Sequence, residues 1–219
     1  VPLPRGAGRP DPPVPVTIRV LSGDDVRSVL DYPSCIEAME HALAALARDE
    51  LSMPLRFVMR PPAGDGRLMG FMPAHRGGER PVFTLKEIVV SPENSRRGLD
   101  PHQGAVLVHD GQTGELRAVL DASALTEIRT AAVSAVATKL LARSGAATVA
   151  ILGAGVQARS HLEAMRTVLP GATVRVWSRT PEHAEALAAA EGATAAASAE
   201  EALAGADVVC TCTSSREPV

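Results

Sequence analysis

The sequence predicts an α/β chain in which a Rossmann-type doubly wound parallel sheet, incomplete at its C-terminal end, follows an α+β domain. Three observations predict this. Thr148 to Leu152 is a β-branched apolar run without alternation, as in a strand buried on both faces, and Gly153-Ala-Gly155 with Ala158 follows at once. From Thr173 onward, strand-like and helix-like stretches alternate, as in a parallel sheet with helical crossovers. Between Leu51 and Leu120, strand-like segments instead succeed one another across turn residues with few helical stretches.

In chain order, residues 1–16 hold six of the 17 prolines and read as a disordered tail. The α+β domain spans 17–122. Thr17 to Leu21 suits a strand, and Ser22-x-x-Asp25 a capping box that opens a helix broken at Tyr32-Pro33. A second helix, Pro33 to Asp49, places Ile36, Met39, Leu43, Leu46 and Ala47 at helical spacing. Strands follow at Leu51 to Arg60, which carries Arg56, and at Arg67 to Ala74, joined through a Pro61-to-Gly66 hairpin. Val82 to Val90 puts Lys86 on a face with apolar residues, and Gly111-Gln-Thr-Gly114 turns Gly104–Asp110 back into Leu116–Leu120. A connecting helix, 123–144, has Ser123 as its expected cap and Leu125, Ile128, Ala132, Val136 and Leu140 as its apolar stripe; Arg129 lies one turn in. The nucleotide-binding domain, 145–219, adds a helix from Val156 to Val168, a strand from Thr173 to Trp177, a helix after Pro181, a Ser198-x-x-Glu201 box and a strand from Asp207 to Thr213. A doubly wound domain usually has further strands, so the expectation is a C-terminally truncated domain.

Gly153-x-Gly155-x-x-Ala158 is the dinucleotide fingerprint: the first glycine permits the tight turn, the second lets backbone approach a pyrophosphate, and Ala158 lets helix and strand pack closely. The helix it opens aims its N–H groups at the phosphates. About 20 residues on, where NAD sites place an acid for the ribose, the chain has Ser178-Arg179-Thr180. No carboxylate would repel a 2′-phosphate there, and Arg179 with the two hydroxyls can bind one, so the cofactor is NAD or NADP with NADP favoured.

Net charge is −3, which gives no reason to expect nucleic acid or an anionic membrane as partner. No stretch reaches the ~18 apolar residues of a membrane span. The three cysteines lack metal-ligand spacing, so no metal site is expected, and they suit a reducing cytoplasm.

Several segments together resemble the ornithine cyclodeaminase/μ-crystallin family: Thr84-Leu-Lys-Glu-Ile-Val-Val90, Pro92-Glu-Asn94 with Gly98-Leu99, His102-Gln-Gly104, Asp110-Gly-Gln-Thr-Gly114, Asp121 with Leu125-Thr126, Arg129-Thr-Ala-Ala132 and Ile151-Leu-Gly-Ala-Gly-Val-Gln157. The resemblance implies that the first domain is a substrate and dimerisation domain, with the active site between it and the nucleotide-binding domain. It implies hydride transfer at the α-carbon of an amino acid: an ornithine cyclodeaminase that converts L-ornithine to L-proline and ammonia. Related alternatives are an NADPH-dependent reductase of ketimines or Δ1-pyrroline-2-carboxylate, a μ-crystallin-like binder of NADPH and a small ligand, and an inactive fragment. Arg56, Lys86 and Arg129 match substrate positions. From the residues alone, Arg56 and Arg129 fit either a carboxylate clamp or structural ion pairs. Lys86 is also the candidate proton carrier. Val156 and Gln157 match a pyrophosphate-contacting pair, Arg129 also borders the cofactor, and Thr213 lies on the nicotinamide side. Pro101 stands where relatives commonly carry a hydroxyl. The family's catalytic Asp is expected beyond Val219. Partners implied are an amino-acid or cyclic imino-acid substrate and a second copy in a homodimer.

Overall fold

A computed structural model describes residues 17–62, 64, 66–215 and 217–219. The expected tail at 1–16 and part of the Pro61–Gly66 turn lie outside the described residues.

The first sheet begins with β1 (Arg19–Leu21), which runs parallel to β7 (Leu116–Asp121). Antiparallel pairing then continues through β6 (His102–Asp110), β5 (Val82–Val90) and β4 (Leu68–Arg76). Two short strands, β2 (Leu51–Ser52) and β3 (Phe57–Met59), both pair with β4. The single strand expected from Leu51 to Arg60 is therefore two pieces, and Arg56 sits in the connection ahead of β3 rather than on a strand. Pro54 falls in the break and has no N–H to give a ladder.

Two helices precede β2. α1 (Gly23–Val29) starts with the reciprocal Ser22–Asp25 capping box, and α2 (Tyr32–Ala47) is capped by Asp31, whose side chain accepts from the Ser34 N–H. The small residues Cys35 and Ala45 join Ile36 on the buried face of α2; Leu43 and Leu46, expected there, are exposed.

β7 leads directly into α3 (Ala122–Leu141). Its cap is Asp121, which accepts from the Ala124 N–H at 2.7 Å, and not Ser123, whose hydroxyl donates to Asp100. Ala122, Ala124, Ala131, Ala132 and Ala135 are wholly buried, so neighbouring elements approach the helix closely, while Leu140 at the far end of the expected stripe is exposed.

The second sheet has the order β10-β9-β8-β11, all parallel, from β8 (Thr148–Leu152), β9 (Thr173–Trp177), β10 (Thr194–Ala195) and β11 (Val208–Thr211). α4 (Val156–Val168) crosses from β8 to β9, α5 (Pro181–Glu191) from β9 to β10, and α6 (Ala199–Leu203) from β10 to β11. β11 ends two residues before Thr213, which lies past the strand. Sequential strands step outward from β8 on one side, and β11 returns on its other side. The carboxyl ends of β8 and β11 thus form a topological switch point, where open α/β sheets bind ligands.

A continuous apolar core unites α1, α2, α3, α4, β8 and β9, with Val26, Ile128, Val136, Ile151, Leu162 and Met165 among its buried members. A smaller cluster of Ile88, Val106 and Ala122 seats the start of α3 on one face of the first sheet.

Candidate active site

Strand alternation places Lys86 on the same face as Ile88 and Val90, toward the start of α3, and the ladder puts Met72 and Val106 beside it. Partly buried there, Lys86 donates from Nζ to Thr126 Oγ1 at 2.6 Å. Burial, then the Arg129 and Arg56 charges, pull its pKa down to about 8. Arg129, one turn beyond Thr126 on α3, is likewise held below its usual value by burial and then by Arg56. The structure thus brings together the three expected substrate cations from β5, α3 and the β2–β3 connection. Among the described residues, none of them has an acidic partner within ion-pair distance. This rules against the structural ion pairs that the residue types had left open. Lys86 and Arg129 are partly buried and Arg56 is exposed beside them; the three like charges repel one another, and an anion between them relieves the repulsion and the burial cost of the first two.

His102, at the start of β6, borders the same cluster; burial and the Lys86 charge lower its pKa, against an opposing pull from Asp100. Asp100 accepts from the His102 N–H at 2.8 Å and from Ser123 Oγ, tying the loop before β6 to the first turn of α3.

The fingerprint turn has the geometry a pyrophosphate requires. Gly153 has φ +120°, and a Cβ on it would lie 2.4 Å from the Cys212 carbonyl oxygen, so a side chain is excluded on conformational and steric grounds together. A Cβ on Gly155 would meet nothing within 4 Å, which leaves open space at the head of α4. Val156 is exposed at that head. The Gln157 side-chain Oε1 is buried without a hydrogen-bond partner among the described residues, a group whose burial calls for one from outside the chain.

Beyond β9, a cavity of about 570 Å³ is lined by Trp177, Ser178, Arg179, Pro181, Ala196 to Glu200, Pro218 and Val219. This is where a fingerprint of this type places the adenosine end of a dinucleotide. Thr180 starts α5 and is not among the lining residues. Thr213 follows β11 at the switch point, its hydroxyl accepting from the Ser215 N–H at 3.3 Å. Thr126, His102 and Glu200 had no site role read from the sequence. Thr126 pairs with Lys86 across 40 positions, a contact no local pattern announces, and Glu200 is an acid lining the cavity that Arg179 also lines.

Among the described residues no group of His, Cys, Asp and Glu is placed to hold a metal ion, and no helix is long and apolar enough to cross a membrane.

Comparison with known proteins agrees with this geometry. The chain is 38% identical to ketimine reductase mu-crystallin of Rattus norvegicus over 205 residues, covering 91% of this chain and 65% of that protein. Its fold superposes on a Thermococcus litoralis Δ1-pyrroline-2-carboxylate reductase solved with NADH and L-proline, with TM-score 0.83 and 30% identity over 92% of this chain and 64% of that one. It also matches a lysine cyclodeaminase structure, with TM-score 0.78 and 34% identity over 92% of this chain and 63% of that one. The chain therefore spans somewhat less than two thirds of these proteins. The model of the ornithine cyclodeaminase/mu-crystallin family matches residues 17–219, nearly the whole described chain, and with the identities above it assigns this protein to that family.

Proposed function

We propose that the protein is a nicotinamide-dependent reductase of small cyclic imino acids of the Δ1-pyrroline-2-carboxylate class, using NADPH or NADH. The observation that carries this reading is the trio Arg56, Lys86 and Arg129, gathered by β5, α3 and the β2–β3 connection with no acidic partner among the described residues. A reduced nicotinamide ring, when bound, supplies the hydride for the imine carbon. The protein's own part is positional and electrostatic. Arg129 and Arg56 hold the substrate carboxylate, so that the imine carbon has one allowed orientation. Lys86 Nζ, fixed by Thr126, presents a proton near neutral pH to the imine nitrogen, and protonation there makes the adjoining carbon electrophilic. Gly153, Gly155 and the head of α4 receive the pyrophosphate, and the free Gln157 Oε1 accepts from a cofactor hydroxyl or amide.

The sequence placed ornithine cyclodeaminase first. The reductase names of the relatives move it to second, where the likeness to a lysine cyclodeaminase keeps it, since one carboxylate clamp serves both reactions. Supplying Δ1-pyrroline-2-carboxylate with NADPH or NADH, and separately L-ornithine with NAD⁺, distinguishes them. Oxidation of the reduced cofactor in the first mixture and no ammonia in the second is expected. Ammonia release without imine reduction would discard the reductase, and tight NADPH binding with neither reaction would mark a ligand-binding protein.

The same reading assigns Arg179 to the 2′-phosphate. Arg179→Ala is expected to weaken NADPH about five- to tenfold and NADH hardly at all, since one exposed charge-assisted contact is lost. Trp177 is the chain's only tryptophan and lines the adenosine cavity, so its fluorescence reads both titrations. Equal losses for the two cofactors would contradict the assignment.

A homodimer through the first sheet belongs to this reading as well. On the face away from α3, Phe57, Met59, Phe83 and Val89 toward one side of the sheet and Val20 on its other edge strand are exposed apolar side chains of the kind a second copy covers. Sedimentation at micromolar concentration is expected to give twice the chain mass; a monomer would remove the proposal.

A further inference from the structure

The substrate cations and the dinucleotide turn lie on different elements, so something must fix the distance between them. The polar side of α3 indicates what does. Thr126, Thr130, Ser134 and Thr138 recur every four residues, a hydroxyl stripe on an otherwise alanine-rich helix. Thr126 holds Lys86 at one end. Further along, Ser134 Oγ lies 2.9 Å from His161 Nε2 on α4, and Thr138 Oγ1, which donates to the Ser134 carbonyl oxygen at 2.9 Å, lies 3.4 Å from Met165 Sδ. Both contacts advance by four residues on each helix in the same direction, so α3 and α4 run side by side in one sense. One step back toward their N-termini brings Thr130 level with Gln157, and the next reaches Thr126. The Ser134–His161 contact is thus two helical turns, about 12 Å, from the hydroxyl that holds Lys86.

His161 is 7% exposed. Its Nδ1 is 2.7 Å from the Gln157 carbonyl oxygen, which only accepts, so Nδ1 carries the proton. Nε2 is then the acceptor, and the Ser134 hydroxyl donates to it. One imidazole therefore joins the backbone of the residue behind the pyrophosphate turn to a side chain of the substrate helix. Burial holds the ring below its usual pKa, which keeps this neutral tautomer in place.

We propose that His161 is a positioning residue: the Ser134–His161–Gln157 connection sets the axial register of α4 against α3, and with it the separation of the cofactor turn from Lys86 and Arg129. This rests on the reductase reading for its catalytic consequence but not for its structural one, and the two are tested apart. In the first test, Ser134→Ala and His161→Leu are each expected to lower the thermal midpoint by about 2–4 °C, and the double variant no further than the worse single one. Additive losses would overturn the interhelical bond whether or not the protein is a reductase. In the second, His161→Leu is expected to lower kcat for the cyclic imine by about tenfold or more, since misplacement of reacting groups acts on the transition state. The KM for the imine and the NADPH dissociation constant from Trp177 fluorescence are expected to stay within about twofold, because neither binding surface alone is touched. His161→Gln, whose Oε1 replaces Nε2 as acceptor, is expected to recover most of kcat. An unchanged kcat, or equal losses in the leucine and glutamine variants, would overturn the positioning role. Absence of imine turnover in the unmodified protein sinks the reductase reading alone, and the midpoint cycle then decides the interhelical bond.

Discussion

Arg129→Ala is expected to weaken the imino-acid carboxylate by about 2–5 kcal/mol, roughly 30-fold to several thousandfold in dissociation constant. The size follows from what the arginine lacks. It sits partly buried on α3, held below its ordinary pKa by burial and by Arg56, and among the described residues no acid pairs with it. A substrate carboxylate is then its first full partner, and the planar guanidinium can meet it with two parallel hydrogen bonds. Removing that fork leaves a buried anion facing Lys86 and the more exposed Arg56 alone. Arg129→Lys is expected to recover only part of the loss, because a point charge cannot reproduce the paired geometry. The KM for Δ1-pyrroline-2-carboxylate and calorimetric binding of L-proline, the product of the proposed reaction, measure it. Values unchanged in Arg129→Ala would take the residue out of the site.

The parts of this molecule that were legible in the sequence are those whose local and tertiary requirements coincide. Thr148–Leu152, Val156–Val168 and Thr173–Trp177 appear at their expected bounds because a strand buried on both faces must be continuously apolar, and glycines end it where the turn demands them. The Ser22–Asp25 box is a local hydrogen-bond pattern and formed as read; at Ser198 only half of the box formed, the serine accepting from the Glu201 N–H while the Glu201 carboxylate accepts from the Ala197 N–H instead. What failed was decided by distant neighbours. Leu43, Leu46 and Leu140 have helical spacing, yet smaller residues won the buried faces because α2, α3 and α4 pack at alanine and cysteine positions. Asp121 took the cap from Ser123 because a strand ends there and Asp100 claims the serine hydroxyl. The cation cluster was legible through its residue types and the family resemblance; Thr126 and His161 were not, because a hydroxyl stripe is a polar periodicity hidden in a helix read for its apolar one.

Lys86→Met is expected to give a protein that is more stable than the original and does not turn over the imine. Folding carries this lysine from a reference pKa of 10.5 to about 8, so at neutral pH the folded state keeps a proton it holds less tightly than the unfolded chain does. Allowing for the Thr126 hydrogen bond and for partial solvent access, the penalty is about 1–3 kcal/mol. Its pH dependence has a definite sign. Below about pH 8 both states are protonated and the full penalty is present. Between about 8 and 10.5 the unfolded chain binds more protons than the folded one, so stability of the original protein gains as pH rises; above 10.5 both are neutral and the penalty is gone. Methionine, unbranched and of similar length, fills the space without a charge. The stability advantage of the variant in denaturant unfolding is therefore expected near neutral pH and to shrink as pH climbs through that window. Taking the difference between the two proteins cancels the titration of Tyr32, Cys210 and Cys212, which burial raises to about 12, 11 and 12. Saturating L-proline is expected to narrow the gap in the same way at neutral pH, because a bound carboxylate gives the ammonium its partner and a methionine gives the carboxylate none. A variant less stable than the original, or an advantage indifferent to both pH and proline, would mean that Lys86 is a structural residue with a satisfied charge. The opposite outcome identifies a site that carries instability so as to bind an anion.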